Sequence, residues 1–195
     1  MRVPGFVVGL WLVSLLAVAS AAFVSSAQQA VARYSALAVD LTASGGQAAT
    51  PVTIVITRWA TDEERDRLVS TLKEGSTSTT LSQLRDLPRA GSIGSTGSVG
   101  IDIRFARRTP TPDGGQRVIL VTERPLSFWE RRDAGRSTEY PFTLIELRLG
   151  PNGKGEGKVS LATKIIVDQE ADLVVLENYS GQPILLQDVT TLSRG

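Results

Sequence analysis

The stretch that most limits the fold is residues 140–168, which read YPFTLIELRL, then GPNGKGEG, then KVSLATKIIVD. On the first arm Thr143, Ile145, Leu147 and Leu149 share one face, and Leu144, Glu146 and Arg148 share the other. On the second arm Val159, Leu161, Thr163, Ile165 and Val167 alternate with Lys158, Ser160, Ala162 and Lys164. Successive side chains of a strand point to opposite faces. A period of two on both arms therefore predicts two strands, and the glycine-rich octapeptide between them predicts a hairpin turn. One apolar face and one polar face is the pattern of an antiparallel sheet covered on one side.

The same period recurs. Residues 33–42 and 52–59 read as a first pair of strands, joined by the turn formers SGGQAATP. The period changes at Thr61-Asp62-Glu63-Glu64, a capping box in which Thr61 accepts from the Glu64 amide and Glu64 reaches back. It predicts a helix to about residue 74, with Leu68, Val69 and Leu72 inward and Gly75 as its stop. A second helix is predicted over 79–87, carrying Leu81, Leu84 and Leu87 and ended by Pro88. Glycines at 91, 94, 97 and 100 predict a loop between helices and sheet. Strands follow at 99–107 (Ile101, Ile103 and Phe105 inward) and 117–123, across the turn PTPDGG. A last hairpin is expected over 173–179 and 183–189. Two strands, two helices and six strands make an α+β fold: a long, curved antiparallel sheet with an early inserted pair of helices.

The N-terminus stands apart. Arg2 precedes an apolar run over residues 6–19, and Ala19-Ser20-Ala21 and Ser25-Ser26-Ala27 both offer a peptidase site. This is the layout of a secretory signal peptide, and cleavage is expected after Ala27. The alternative is an uncleaved anchor, for which the run falls short of the roughly 20 residues of a spanning helix. The expected organisation is a signal peptide at 1–27, a mature N-terminus with the first strand at 28–50, and the rest of one α+β domain at 51–195. The expected location is the periplasm or the extracellular space, with no membrane span after cleavage.

Absent residue types narrow the chemistry. The chain has no cysteine and no histidine. A lipoprotein anchor and disulfides are thereby excluded, and so are imidazole bases and imidazole metal ligands. A formal charge of +1 over 195 residues argues against nucleic acid as a partner. Asp168, Glu170 and Asp172 lie close together but lack the calcium-loop spacing, so no metal and no cofactor is expected. The glycine stretch lacks the Gly-Lys-Ser/Thr ending of a phosphate loop. Ser160 and Lys164 on one strand would stand about 13 Å apart, too far for a dyad. No catalytic residue is predicted; a hydrolase using Glu146 and Asp102 remains an alternative.

The segment RPLSFWERRDAGRSTEY is the candidate binding site. It sets Phe128, Trp129 and Tyr140 beside Arg124, Arg131, Arg132 and Arg136. Trp and Arg together dominate binding hot spots, and a loop is where binding residues concentrate. The competing reading has Phe128 and Trp129 plugging one end of the sheet. Arg104, Arg107 and Arg108 would extend the same basic patch. The expected function is an exported, non-catalytic domain that binds a small apolar or anionic molecule or a partner protein. A further alternative is assembly at the cell envelope through an exposed sheet edge.

The pieces VTIVITRWATDEERDRLVSTL, RPLSFWE and YPFTLIELRLGPNGKGEGKVSLATKI resemble a family of uncharacterised exported proteins of soil-type bacteria. The likeness covers most of the mature chain. It implies export and one compact domain, and it assigns no activity and no functional residue.

Overall fold

The computed structural model describes residues 29–40, 48–74, 77–95, 98–123, 143–161, 164–168, 173–177 and 184–192. The expected leader lies outside them. The strands are β1 (Ala32–Asp40), β2 (Ala48–Ile56), β3 (Gly91–Ser95), β4 (Ile101–Pro110), β5 (Gln116–Thr122), β6 (Thr143–Leu149), β7 (Lys154–Leu161), β8 (Lys164–Asp168), β9 (Leu173–Glu177) and β10 (Ile184–Leu192). The helices α1 (Asp62–Lys73) and α2 (Thr77–Asp86) stand between β2 and β3.

Eight of the strands close on themselves in the order β1-β10-β7-β6-β5-β4-β3-β2, and β8 and β9 form a separate two-stranded ladder. Every pair is antiparallel. The expected open, curved sheet is thus corrected to a closed up-and-down barrel. The closing contact joins the first strand to the last, Arg33 opposite Leu192 and Val39 opposite Leu185. Pairing across so long a stretch of chain leaves no mark in local periodicity, which is why the sequence pattern stopped at curvature. Closure removes the edges that an open sheet would present.

The barrel is lined by the apolar face that the alternation predicted. Thr143, Ile145, Leu147 and Leu149 are all buried, with Ile145 and Leu147 at 0% exposure. Their partners Val118, Leu120 and Val159 are also at 0%. The outer wall carries Arg117, Glu146, Arg148, Glu156 and Lys158. Apolar inside and charged outside is the inverse of an outer-membrane-type barrel. No described helix is long and apolar enough to cross a membrane.

Two one-residue bulges correct the strict alternation. In β4, Ile103 pairs with Thr122 but Phe105 with Val121. The extra residue turns Phe105 out of the barrel and puts Ala106 into it. Phe105, expected inward with Ile103, instead packs with Leu68, Leu84 and Leu87 and holds the helix pair on the outer wall. In β10, three steps from Leu186 to Val189 answer two on β7, from Gly157 to Gly155. Asp188 takes the left-handed conformation there (φ 52°), and Leu186 and Val189 both stay inside at 0% exposure.

Four further expectations change. The glycine stretch is not all loop, because Gly91–Ser95 is a barrel strand between β2 and β4. A Cβ at Gly91 would collide with the Val55 carbonyl, so glycine there permits close backbone approach. KGEG belongs to β7 rather than to the turn; a Cβ on Gly157 would lie 2.7 Å from Leu147 Cδ2, in space that neighbours already fill. The second arm is not one strand: it divides into β7, in the barrel, and β8, which pairs with β9. The expected last hairpin therefore does not form, and β10 pairs with β1 and β7.

The capping box is present. Thr61 Oγ1 accepts from the Glu64 amide at 3.2 Å, and the Thr61 amide donates to Glu64 Oε2 at 3.0 Å. Arg58 adds a two-pronged contact to Glu64 at 2.9 and 3.0 Å and donates to the Pro88 carbonyl at 3.2 Å. One guanidinium so ties the start of α1 to the chain leaving α2.

Candidate functional site

Arg124, Phe128, Trp129, Arg131, Arg132, Arg136 and Tyr140 lie outside the described residues. Their proposed extension is described, and the three arginines separate. Arg104 grips Glu123 at 3.1 and 3.3 Å, and Arg107 pairs with Asp62 at 2.8 Å. Arg108 goes elsewhere: its guanidinium lies 5.2 Å from the centre of the Trp59 ring. Among the described residues these three arginines therefore stand in three separate arrangements, while the rest of the expected patch lies outside them.

The place of Arg108 follows from register. It pairs with Val118, an interior residue, and directly opposed residues share a face. Because β4 is ending at Pro110, the side chain reaches over the mouth of the barrel. Trp59 leaves the end of β2 at the same mouth and packs on the interior cluster. Tyr34, 1% exposed, stands in the barrel just beneath. Burial pushes the Tyr34 phenol above its ordinary range, and the Arg108 charge pulls it back. At this barrel end an indole thus packs on the interior cluster with a guanidinium over its ring.

Arg108 differs from most arginines of the wall. Arg58, Arg89, Arg104, Arg107, Arg117 and Arg148 all meet carboxylates. Among the described residues no carboxylate pairs with Arg108, which is exposed. A guanidinium stacked on an aromatic ring keeps its N–H edges for an in-plane acceptor, and the ring holds it in place. The arrangement can take a carboxylate, sulfate or phosphate. The sequence reading passed over Trp59, which it took as the end of a strand. The available signal was a tryptophan just after one strand and an Arg-Arg pair near the end of another.

The barrel interior offers no space beside its largest side chains. Ile54, Ile93, Ile103, Leu120, Ile145, Leu147 and Leu186 are all at 0% exposure, so no water-sized void adjoins them. At the other mouth the lining turns polar. Thr122 and Thr143 are paired and at 0% exposure; the Thr143 amide donates to Thr122 Oγ1 at 3.3 Å, and Thr143 Oγ1 has no partner.

The two carboxylates considered for hydrolysis are apart and neutralised. Asp102 accepts from Arg89 at 2.6 Å. Glu146 accepts from Arg117 at 2.9 Å and Arg148 at 2.8 Å. Burial pushes the Glu146 carboxyl up, but Arg148 and Arg117 together outweigh it and hold it below the usual range. The two sit on β4 and β6 with β5 between them. Among the described residues no cluster of three carboxylates could hold a metal ion.

Comparison with protein-family models, with curated proteins and with solved structures finds no match to this chain.

Proposed function

We propose that the mature chain is an exported, non-catalytic binding domain that receives an anionic group, on a small molecule or a partner protein, at the Trp59–Arg108 mouth of the barrel. The observation that carries this reading is the exposed Arg108 guanidinium, lying over the Trp59 ring at 5.2 Å with no described carboxylate to neutralise it. An isolated surface arginine moves freely and binds anions weakly. One fixed on an indole is pre-organised, so less freedom is lost when an anion arrives. The filled core favours this over an apolar guest inside the barrel, because the seven side chains at 0% exposure already occupy that space. The arginine ties on Glu146 and Asp102 favour binding over hydrolysis.

The test is a two-dimensional NMR titration of the mature protein with acetate, sulfate and phosphate against chloride at equal ionic strength. The expected result is saturable shifts of the Trp59 indole N–H and the Arg108 Nε–H, abolished in Arg108→Gln. Shifts that match the chloride control, or that persist in Arg108→Gln, would overturn the reading.

A further inference from the structure

The barrel consumes eight strands and leaves no edge, but β8 and β9 form a ladder of two. Its register is regular, from Lys164 opposite Glu177 to Asp168 opposite Leu173, with no bulge. Each strand thus has an outer edge with no strand partner among the described residues. Helix α1 lies against β8. A helix spends its backbone groups internally and cannot complete a ladder, so α1 does not satisfy that edge. Natural edges are defended by proline, a bulge, a charge in mid-strand, or cover by a helix or loop. β8 reads Lys-Ile-Ile-Val-Asp and has none of the first three.

The same pentapeptide is complementary to itself. Laid antiparallel on a second copy about Ile166, it sets Lys164 opposite Asp168, Ile165 opposite Val167, and Ile166 opposite Ile166. Opposite charges meet at both ends and β-branched residues meet between them, which is the favourable pattern for cross-strand pairs. β9 lacks this property. Read against itself, Leu-Val-Val-Leu-Glu sets Leu173 opposite Glu177 with no cation to answer.

We propose that β8 is a pairing edge for a second copy of this chain. Two β8 strands join antiparallel across a two-fold axis through Ile166, and two ladders of two become one sheet of four. Such an interface is isologous and closes at the dimer, so it does not propagate into fibres. It also adds support to the ladder beyond what its contact with α1 supplies, since two strands alone are marginally stable in water and four are not. The pairing uses no residue of the anion site at Trp59 and Arg108.

The chain contains no cysteine, which makes the test clean. Single-cysteine variants of the mature protein at positions 165, 166 and 167 are oxidised mildly and run without reductant. Opposed residues of an antiparallel pair have Cα atoms about 5 Å apart, within disulfide reach. Ile166→Cys is expected to cross-link alone; Ile165→Cys and Val167→Cys cross-link efficiently only when mixed. Sedimentation of the unmodified protein is expected to show a dimer. Asp168→Lys should weaken it about tenfold by opposing like charges, and the swap Lys164→Asp with Asp168→Lys, combined with Glu177→Lys to keep opposite charges across the ladder, should restore it. The restoring variant separates lost pairing from lost folding. A monomer at every concentration up to the millimolar range would overturn the proposal. So would a dimer that cross-links through Val175→Cys on β9 and not through Ile166→Cys.

Discussion

The barrel and the β8–β9 ladder are built from similar residues, yet they solve the problem of a sheet in opposite ways. In the barrel each strand has two partners and one apolar face, and closure hides that face from water. In the ladder each strand has one partner, and the pentapeptides KIIVD and LVVLE place apolar residues at consecutive positions. The wall strands read as alternation because one of their faces meets solvent; a run without alternation calls for cover on both faces. Burial and edge pairing are thus separate requirements; the barrel meets both, and in the ladder each strand has one strand partner among the described residues.

The comparison breaks first where the barrel is broken. Leu147→Ala empties a site at 0% exposure and should cost about 2–5 kcal/mol, read as a lower urea midpoint. Phe105→Ala should cost about 3–5 kcal/mol, and hydrogen exchange should show where the loss falls. Protection should drop in α1 and α2 and persist in β5 and β6, because Phe105 faces the helices and not the interior.

Acid sharpens the contrast within the wall. The Arg58 hydrogen bonds hold the Glu64 carboxyl below its usual range, and Glu146 is held low by its two arginines against the opposing effect of burial. A depressed folded-state value adds stability above the unfolded value of about 4.3 and loses it as pH falls through the folded value. The thermal midpoint should therefore be steady from neutrality down to about pH 5 and fall below about pH 4.3, with no step near pH 6.5 in a chain without histidine. Glu64→Gln should lose about 1 kcal/mol at neutral pH and flatten part of that fall. The smallest expected effect is at the polar mouth. Thr143→Val replaces a buried hydroxyl that has no partner by a methyl group of similar shape, and should leave the midpoint unchanged or raise it by about 1 kcal/mol.

Local physics was legible in this chain and long-range pairing was not. The inward set Thr143, Ile145, Leu147 and Leu149 could be read by parity, and the Thr61–Glu64 cap by spacing. β3 was missed because Gly91 and Gly94 look like loop; Gly91 lets β2 approach, and Gly94 makes room for the backbone of Gly100. β8 was read as a continuation of β7 because the alternation runs on through residues 162 and 163 without a signal of exchange between partners. Phe105 was placed inward because a single extra residue in β4 inverts parity and is invisible in composition. Trp59 and Arg108 lie 49 positions apart, the first just after β2 and the second on β4, with β3 between those strands. The β2-β3-β4 meander brings them together, with the Ala60 amide donating to the Ala106 carbonyl at 2.7 Å, and it could not be read once β3 was taken as loop.

Native-state hydrogen exchange of the mature protein, followed residue by residue, tests the central contrast most directly. If the first and last strands close the barrel, amides on both sides of β1 and β10 will exchange as slowly as those of β5 and β6, at the rate set by global unfolding. In the same experiment the outward amides of β8 will be protected only at concentrations where the protein is dimeric. Fast exchange along one side of β1 or β10 would mean an open sheet with two free edges, and would contradict the account.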